Sequence, residues 1–414
     1  MTDRPVTPHA DTRGGGGDTD DRSASGALPV GGTSPRSSIT ARPRLFGLTW
    51  AHLLNDGAAN YLPGVLPAVL TSLHQPVQMA GVLVAALTIG QALQPVTGWI
   101  ADRIGGRSLV VLGLLLTSAG GGLLGIAHTT WVLIVLLLLI GIGNAFFHPQ
   151  ALAGVRSLLR GKRGFLTSVF LVGGELGRGI WPTVASLVTA NLGLVSLWII
   201  ALPGLATAPF LLRSAPRLPA MPRQGRAIRW RQHARPMALL ISYRSVRALT
   251  IYGLVTFIPI VWAVRGGTLV GGASILTTMI VVGVLGNLCG GYLADRFGRR
   301  PVLLASALAS CGLIFPVVYL HGLWIWVAAA VLGVALFLTA STTVLIGQDI
   351  FPENRSMGSG IALGLANGIG ALLVLLIGFW VNDSDIVAVF WVLAGLGLAS
   401  AFLALGFSKQ LMRG

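Results

Sequence analysis

The chain has 414 residues, of which 54% are hydrophobic and only 10% charged, and its mean hydropathy is +0.78. An average soluble domain is roughly a quarter charged, so this composition excludes a water-soluble globular fold and predicts an all-α polytopic membrane protein. The net charge of +16 does not indicate nucleic-acid binding, because Lys and Arg fall in short stretches between apolar runs and do not gather on one water-facing surface.

Residues 1–44 include "DTRGGGGDTDDRSASG" and lack apolar periodicity, which predicts a disordered tail. No cleavable leader is expected, since no apolar segment follows a basic start. A bilayer span takes about 20 apolar residues. Such runs fall at approximately 46–72, 78–100, 108–127, 131–157, 164–190 and 192–212, then at 238–263, 269–293, 301–320, 323–350, 358–380 and 386–407. The reading is twelve transmembrane helices. A basic linker, 213–237, separates a bundle at 45–212 from a second at 238–408, and 409–414 forms a short tail. Cys289 and Cys311 both lie within spans, so no disulfide framework or metal site follows from them.

Sidedness follows from the loops. Arg103 and Arg107, then Arg156, Arg160, Lys162 and Arg163, then seven Arg between 213 and 235, then Arg296, Arg299, Arg300 and Arg355 all fall on one side. The other side holds Arg265 and the acidic "NDSD" at 382–385. The excess of positive charge predicts that the basic loops and both termini are cytoplasmic.

The two halves read as repeats. "GWIADRIGGR" at 98–107 follows the second span, and "GYLADRFGRR" at 291–300 follows the eighth, about 193 positions later. At these residues the chain resembles the major facilitator superfamily. That resemblance implies the two-repeat major facilitator fold and a cytoplasmic latch made by Gly98, Asp102, Arg103 and Arg107 and by Gly291, Asp295, Arg296, Arg299 and Arg300. "HLLND" at 52–56, "FFHP" at 146–149, "RGFLTSVFLVGG" at 163–174 and "GQDIFPENRSMGSGIALGLANGIG" at 347–370 are similar to the fosmidomycin resistance subfamily. This likeness implies export of a phosphonate antibiotic in exchange for protons, by a multi-pass protein of the bacterial inner membrane. Where that subfamily tends to carry Asn and a small residue in the fifth helix, this chain has Glu175 and Arg178, and Trp181 stands in place of the Gly before Pro182.

Ionisable groups inside a membrane cost several kcal/mol and as a rule face the bundle interior or a water-filled cavity. Asp56 and Glu175 are the proton-coupling candidates. Arg178, Arg244 and Arg247 are substrate candidates, since a guanidinium fork suits phosphonate or carboxylate; Arg244 has the further option of snorkelling to the surface. Glu175 and Arg178, three residues apart, read either as a self-neutralising pair or as a coupled proton and anion site. His52 and Asp56, one turn apart, favour proton handling over metal binding, because two ligands on one helix do not make a metal site. His148 precedes Pro149, which predicts a bend in the fourth helix; its plainer reading is a helix-end hydrogen bond to a carbonyl. Asn60, Gln91, Gln94, Asn144, Asn287 and Asn367 complete the polar candidates, with Asn367 equivalent to Glu175 by the repeat.

The function expected is a proton-coupled exporter of a small molecule, drug-like or an anion such as a phosphonate, acting as a monomer in the lipid bilayer by alternating access. No cofactor, metal or nucleic-acid partner is expected. Uptake of an organic anion by symport, or translocation of a lipid or lysolipid, are the alternatives. An enzyme is not expected, because no metalloprotease or nucleophile-elbow motif occurs.

Overall fold

A computed structural model describes residues 36–158, 163–220, 230–352, 358, 360–381 and 385–412. Most of the expected disordered tail lies outside them. So do Arg160, Lys162, Arg223, Arg226, Arg229, Arg355 and most of "NDSD".

Helices account for nearly all of the described chain. The first span is two helices, α1 (Arg36–Asn60) and α2 (Leu62–Ser72), broken at Tyr61. Pro63 sits in the first turn of α2, where its missing N–H costs least. The second span is likewise split into α3 (Met79–Gln91) and α4 (Gln94–Ile104). The third to sixth spans are α5 (Ser108–Leu123), α6 (Thr130–Leu158, with Pro149 inside), α7 (Arg163–Leu192) and α8 (Trp198–Ser214). The seventh to ninth are α9 (Trp230–Val264), α10 (Leu269–Phe297) and α11 (Arg299–Tyr319). The tenth is split into α12 (Trp324–Phe337) and α13 (Ala340–Ile350). A π turn, Ile361–Leu365, leads into α14 (Ala366–Gly378) of the eleventh span; α15 (Ile386–Leu405) is the twelfth, and α16 (Lys409–Met412) follows.

At three places ordered structure reaches beyond the apolar stretches. The first helix starts at Arg36, inside the expected tail, and the seventh at Trp230, inside the expected linker. Prolonging a formed helix adds a hydrogen bond for each residue fixed, so it can run past the apolar stretch. The expected C-terminal tail packs down: Met412 is buried and the Leu411 carbonyl accepts from Arg299 Nη1 at 3.0 Å.

Within the first half α7 packs along α1, and α5 against α6 and α8; within the second, α10 lies on α12, and α11 on α15. The halves meet through α7 with α10, α3 with α14, and α2 with α9 and α10. Away from the basic loops this contact is close. A Cβ on Gly81 would fall 3.2 Å from the Val374 carbonyl, and the Thr183 and Thr277 hydroxyls lie 2.6 Å apart. Trp131, Trp198, Trp324 and Trp380 stay exposed at the helix ends on this side, as expected of an aromatic belt at a membrane interface.

Candidate functional site

The charged side chains gather where α1, α6 and α7 meet. The approach depends on glycine: a Cβ on Gly173 would lie 2.8 Å from the Thr49 carbonyl, and one on Gly177 3.0 Å from the Gly57 nitrogen. Without side chains on that face of α7, α1 brings Asp56 within reach of its neighbours. Trp181 lies over Gly57 and closes the cluster on one side.

Asp56 is buried and surrounded by donors. Its Oδ2 lies 3.1 Å from Arg178 Nη2 and 3.5 Å from His52 Nε2, and its Oδ1 lies 3.2 Å from His148 Nε2. Asn144 and Asn55 donate to Oδ1 at 3.1 and 3.2 Å, and Thr117 donates to Asn55 at 2.9 Å. With charge and hydrogen bonds both supplied, a carboxylate survives here as an ion. Asn60 turns aside, donating to the Asp56 backbone carbonyl at 2.9 Å.

Glu175 and Arg178 form no ion pair with each other. Arg178 reaches back to Asp56, while Glu175 Oε1 accepts from Asn287 Nδ2 of α10 at 2.7 Å, across the boundary between the halves. Glu175 Oε2 and Arg178 Nε are buried without hydrogen-bond partners. Arg178 keeps 40% of its side chain accessible and His148 24%, so the cluster is accessible at these two side chains.

The other candidates separate. Arg244 does not snorkel; it turns inward and donates to the Ala362 carbonyl at 3.0 Å and to Asn367 Oδ1 at 3.1 Å. Arg247 is fully buried inside the second half. It donates to Ser310 at 3.1 Å and to Ser306 and the Leu336 carbonyl at 2.8 Å each. Leu336 lies in the last turn of α12, where carbonyls lack amide partners, so Arg247 is an internal cap on a broken span, with its charge at the negative end of the helix dipole. Gln91 and Gln94 are half-buried beside the break in the second span.

The repeated loops brace each half. Gly105 and Gly106 have φ of +59° and +72°, a left-handed backbone that favours glycine. Gly106 pairs with Leu218, and Arg107 donates to the Arg213 and Ala215 carbonyls at 2.8 and 3.1 Å. In the second copy Arg299 pairs with Asp349 at 2.6 Å and Arg300 donates to the Phe407 carbonyl. Arg103 stacks on Trp99, its guanidinium carbon 3.6 Å from the ring centre, and Arg296 donates to the Tyr292 hydroxyl at 3.3 Å. Gly98 packs near Pro149 and Gly291 near Ser341. Asp295 is exposed and has no ion pair among the described residues, and the side chain of Asp102 lies outside them. Arg107, Arg299 and Arg300 therefore tie elements of one half together, while Arg103 and Arg296 contact their own helices. Asp349, the acidic partner in the second copy, is a residue that the sequence reading passes over.

Comparison with known proteins agrees with this architecture. The family model described as Major Facilitator Superfamily matches residues 48–276 and 245–410. The chain belongs to that superfamily. It is 26% identical to the uncharacterized MFS-type transporter YfnC of Bacillus subtilis, over 92% of this chain and 97% of that one. It is 25% identical to the fosmidomycin resistance protein of Escherichia coli, over 91% and 96%. Among solved structures, the nucleoside transporter NupG superposes with a TM-score of 0.72 at 17% identity, covering 88% of this chain and 100% of that one. A bacterial homologue of the lysosomal transporter Spinster, in an inward-facing occupied conformation, gives 0.68 at 17%, covering 90% and 96%. The chain is a multi-pass membrane transporter of this superfamily and not an enzyme.

Proposed function

We propose that this transporter exports an anionic or zwitterionic small molecule of the phosphonate class in exchange for protons, with Glu175 as the coupling group and Arg178 as the substrate contact. The observation that carries this reading is the division of labour between the buried carboxylate of Asp56 and the half-buried one of Glu175. Asp56 has its charge matched by Arg178 and is surrounded by donors, so it holds the guanidinium in place. Glu175 has one bonded oxygen and one bare oxygen. A bare ionised oxygen in a poorly solvated site is costly, and gaining or losing a proton alters the Glu175–Asn287 bond between the halves. Proton uptake turns a charge-assisted bond into a neutral one, which is about half as strong, and so favours parting of the halves.

An anion arriving at the accessible face of Arg178 draws the guanidinium from Asp56 and changes the field at Glu175. Substrate and proton then influence each other through one connected set of charges, and thermodynamic linkage makes that influence mutual. Likeness to a fosmidomycin resistance protein supports export from the cell. The loop charges support cytoplasmic basic loops and termini in a bacterial inner membrane, with the chain acting as a monomer.

The test is purified protein in liposomes with an imposed pH gradient and labelled fosmidomycin. The wild type is expected to give saturable, gradient-driven movement, and Glu175→Gln to fold normally yet lose the dependence on the gradient. Unchanged gradient dependence in that variant would remove Glu175 from the coupling role.

A further inference from the structure

We infer that His52, Asp56 and His148 form a binding site for one divalent transition-metal ion of the Zn²⁺ class, separate from the anion contact on Arg178. The three residues each offer a ligand atom within 4.8 Å of the others. Helix α1 supplies two of them at four-residue spacing, and α6 supplies the third.

The hydrogen bonds fix which atoms face inward. His52 Nδ1 lies 2.8 Å from the Phe170 carbonyl, and His148 Nδ1 lies 2.9 Å from the Asn144 carbonyl. A carbonyl only accepts, so both Nδ1 atoms carry hydrogen; each Nε2 donates to Asp56 when its ring is protonated and presents a lone pair to a metal ion when its ring is neutral. Those two Nε2 atoms lie 3.3 Å apart. The Asp56 carboxylate completes a triangle, with Oδ1 3.2 Å from His148 Nε2 and Oδ2 3.5 Å from His52 Nε2. Tetrahedral ligands at about 2.0–2.1 Å from a common zinc ion lie about 3.3–3.4 Å from one another. The observed edges need only small changes, with the carboxylate either rotating or binding through both oxygens.

Metal-ligating histidines almost always donate the opposite ring N–H to a carbonyl or carboxylate, which orients the ring. Both rings here have that support from backbone. They are also packed: Phe170 stacks on His52 with centroids 4.2 Å apart, and the two imidazoles meet edge to face at 5.1 Å. Two imidazoles and one carboxylate suit Zn²⁺, Co²⁺, Ni²⁺ or Cu²⁺ over Mg²⁺ or Ca²⁺. The accessible side of His148 gives an entry path for the ion.

Arg178 sets the character of the site. Its Nη2 is 3.1 Å from Asp56 Oδ2, so the guanidinium and a metal ion compete for one carboxylate and repel each other. Binding is therefore of modest strength and rises when Arg178 is neutralised.

The test is equilibrium dialysis of the full chain, free of any affinity tag, against buffered Zn²⁺, with metal content read by elemental mass spectrometry. The readout is metal alone, so it stands or falls independently of proton exchange. One ion per chain is expected. His148→Gln and His52→Gln should each weaken binding by about tenfold or more, Arg178→Gln should tighten it by about tenfold, and His128→Gln, on an exposed loop, should leave it unchanged. No saturable uptake, or uptake indifferent to His148→Gln and His52→Gln, would overturn the inference. Should His52→Gln fail to give monodisperse protein, His148→Gln decides, since that side chain is partly exposed.

Discussion

Replacing Arg247 by Met asks whether a buried charge in a transporter serves transport or the scaffold. The guanidinium is fully buried, and its partners are two hydroxyls and the end of a helix, with no carboxylate among them. Removing it does not strand the serines, because Ser306 donates to the Ala335 carbonyl and Ser310 to the Ser306 carbonyl, at 2.5 Å each. What is stranded is the Leu336 carbonyl, at a cost of about 1–3 kcal/mol for an unsatisfied buried group. Loss of the cation at the dipole's negative end adds about 0.5–1 kcal/mol. Relief from burying an unpaired cation acts the other way, and the net expected is a loss of about 2 kcal/mol. At roughly 1 °C per kcal/mol for a chain of this size, apparent melting in detergent should fall by about 2 °C. Substrate affinity and gradient dependence should stay near wild type at low temperature. An unchanged melting temperature together with lost substrate binding would refute the capping role and return Arg247 to the site.

Gly177→Ala places a methyl on the Leu53 carbonyl and should cost about 1–3 kcal/mol through overpacking; thermal melting measures it, and full stability would mean that α1 and α7 give way easily. Arg178→Lys keeps the charge but loses the fork, so an anionic substrate should weaken by about tenfold or more while a neutral drug changes little. Competition binding compares the two, and equal losses would assign Arg178 a purely structural role. Asp349→Asn breaks the pair with Arg299, but Asp349 is 44% exposed, so melting should drop by no more than about 1 kcal/mol's worth, and a larger drop would show that this pair anchors the C-terminal helix.

The number of spans and the repeat were legible because apolar length and the "ADR" loops are local signals. Breaks within the spans were less so: Pro63 and Pro95 stand in plain view, yet hydropathy runs through them uninterrupted. His52 and Asp56 announce themselves at four-residue spacing, whereas His148 joins them only once the chain has folded back over 96 residues. The spacing of Glu175 and Arg178 suggested a pair, but an i,i+3 contact is worth a few tenths of a kcal/mol, and the partners Asp56 on α1 and Asn287 on α10 outweigh it. Depth in the membrane was readable for Arg244 and Arg247, but direction was not. Whether a long side chain points to a cavity or to a neighbouring helix end depends on packing that one strand of sequence does not record.

The internal cap on α12 also bears on stiffness. A broken helix is a natural place for a membrane protein to bend, yet here the break is pinned by a side chain from α9 and by serines from α11. The Asp56 cluster ties α1, α6 and α7 in the same manner. Each half is thus cross-braced at the points where it would otherwise flex, and compliance is concentrated at the seam between them. That seam is joined by bonds such as Glu175–Asn287 and Thr183–Thr277, which few-residue side-chain rotations can make or release. The bracing of this transporter therefore lies within each half, and the seam between the halves rests on a few side-chain bonds that single substitutions can remove.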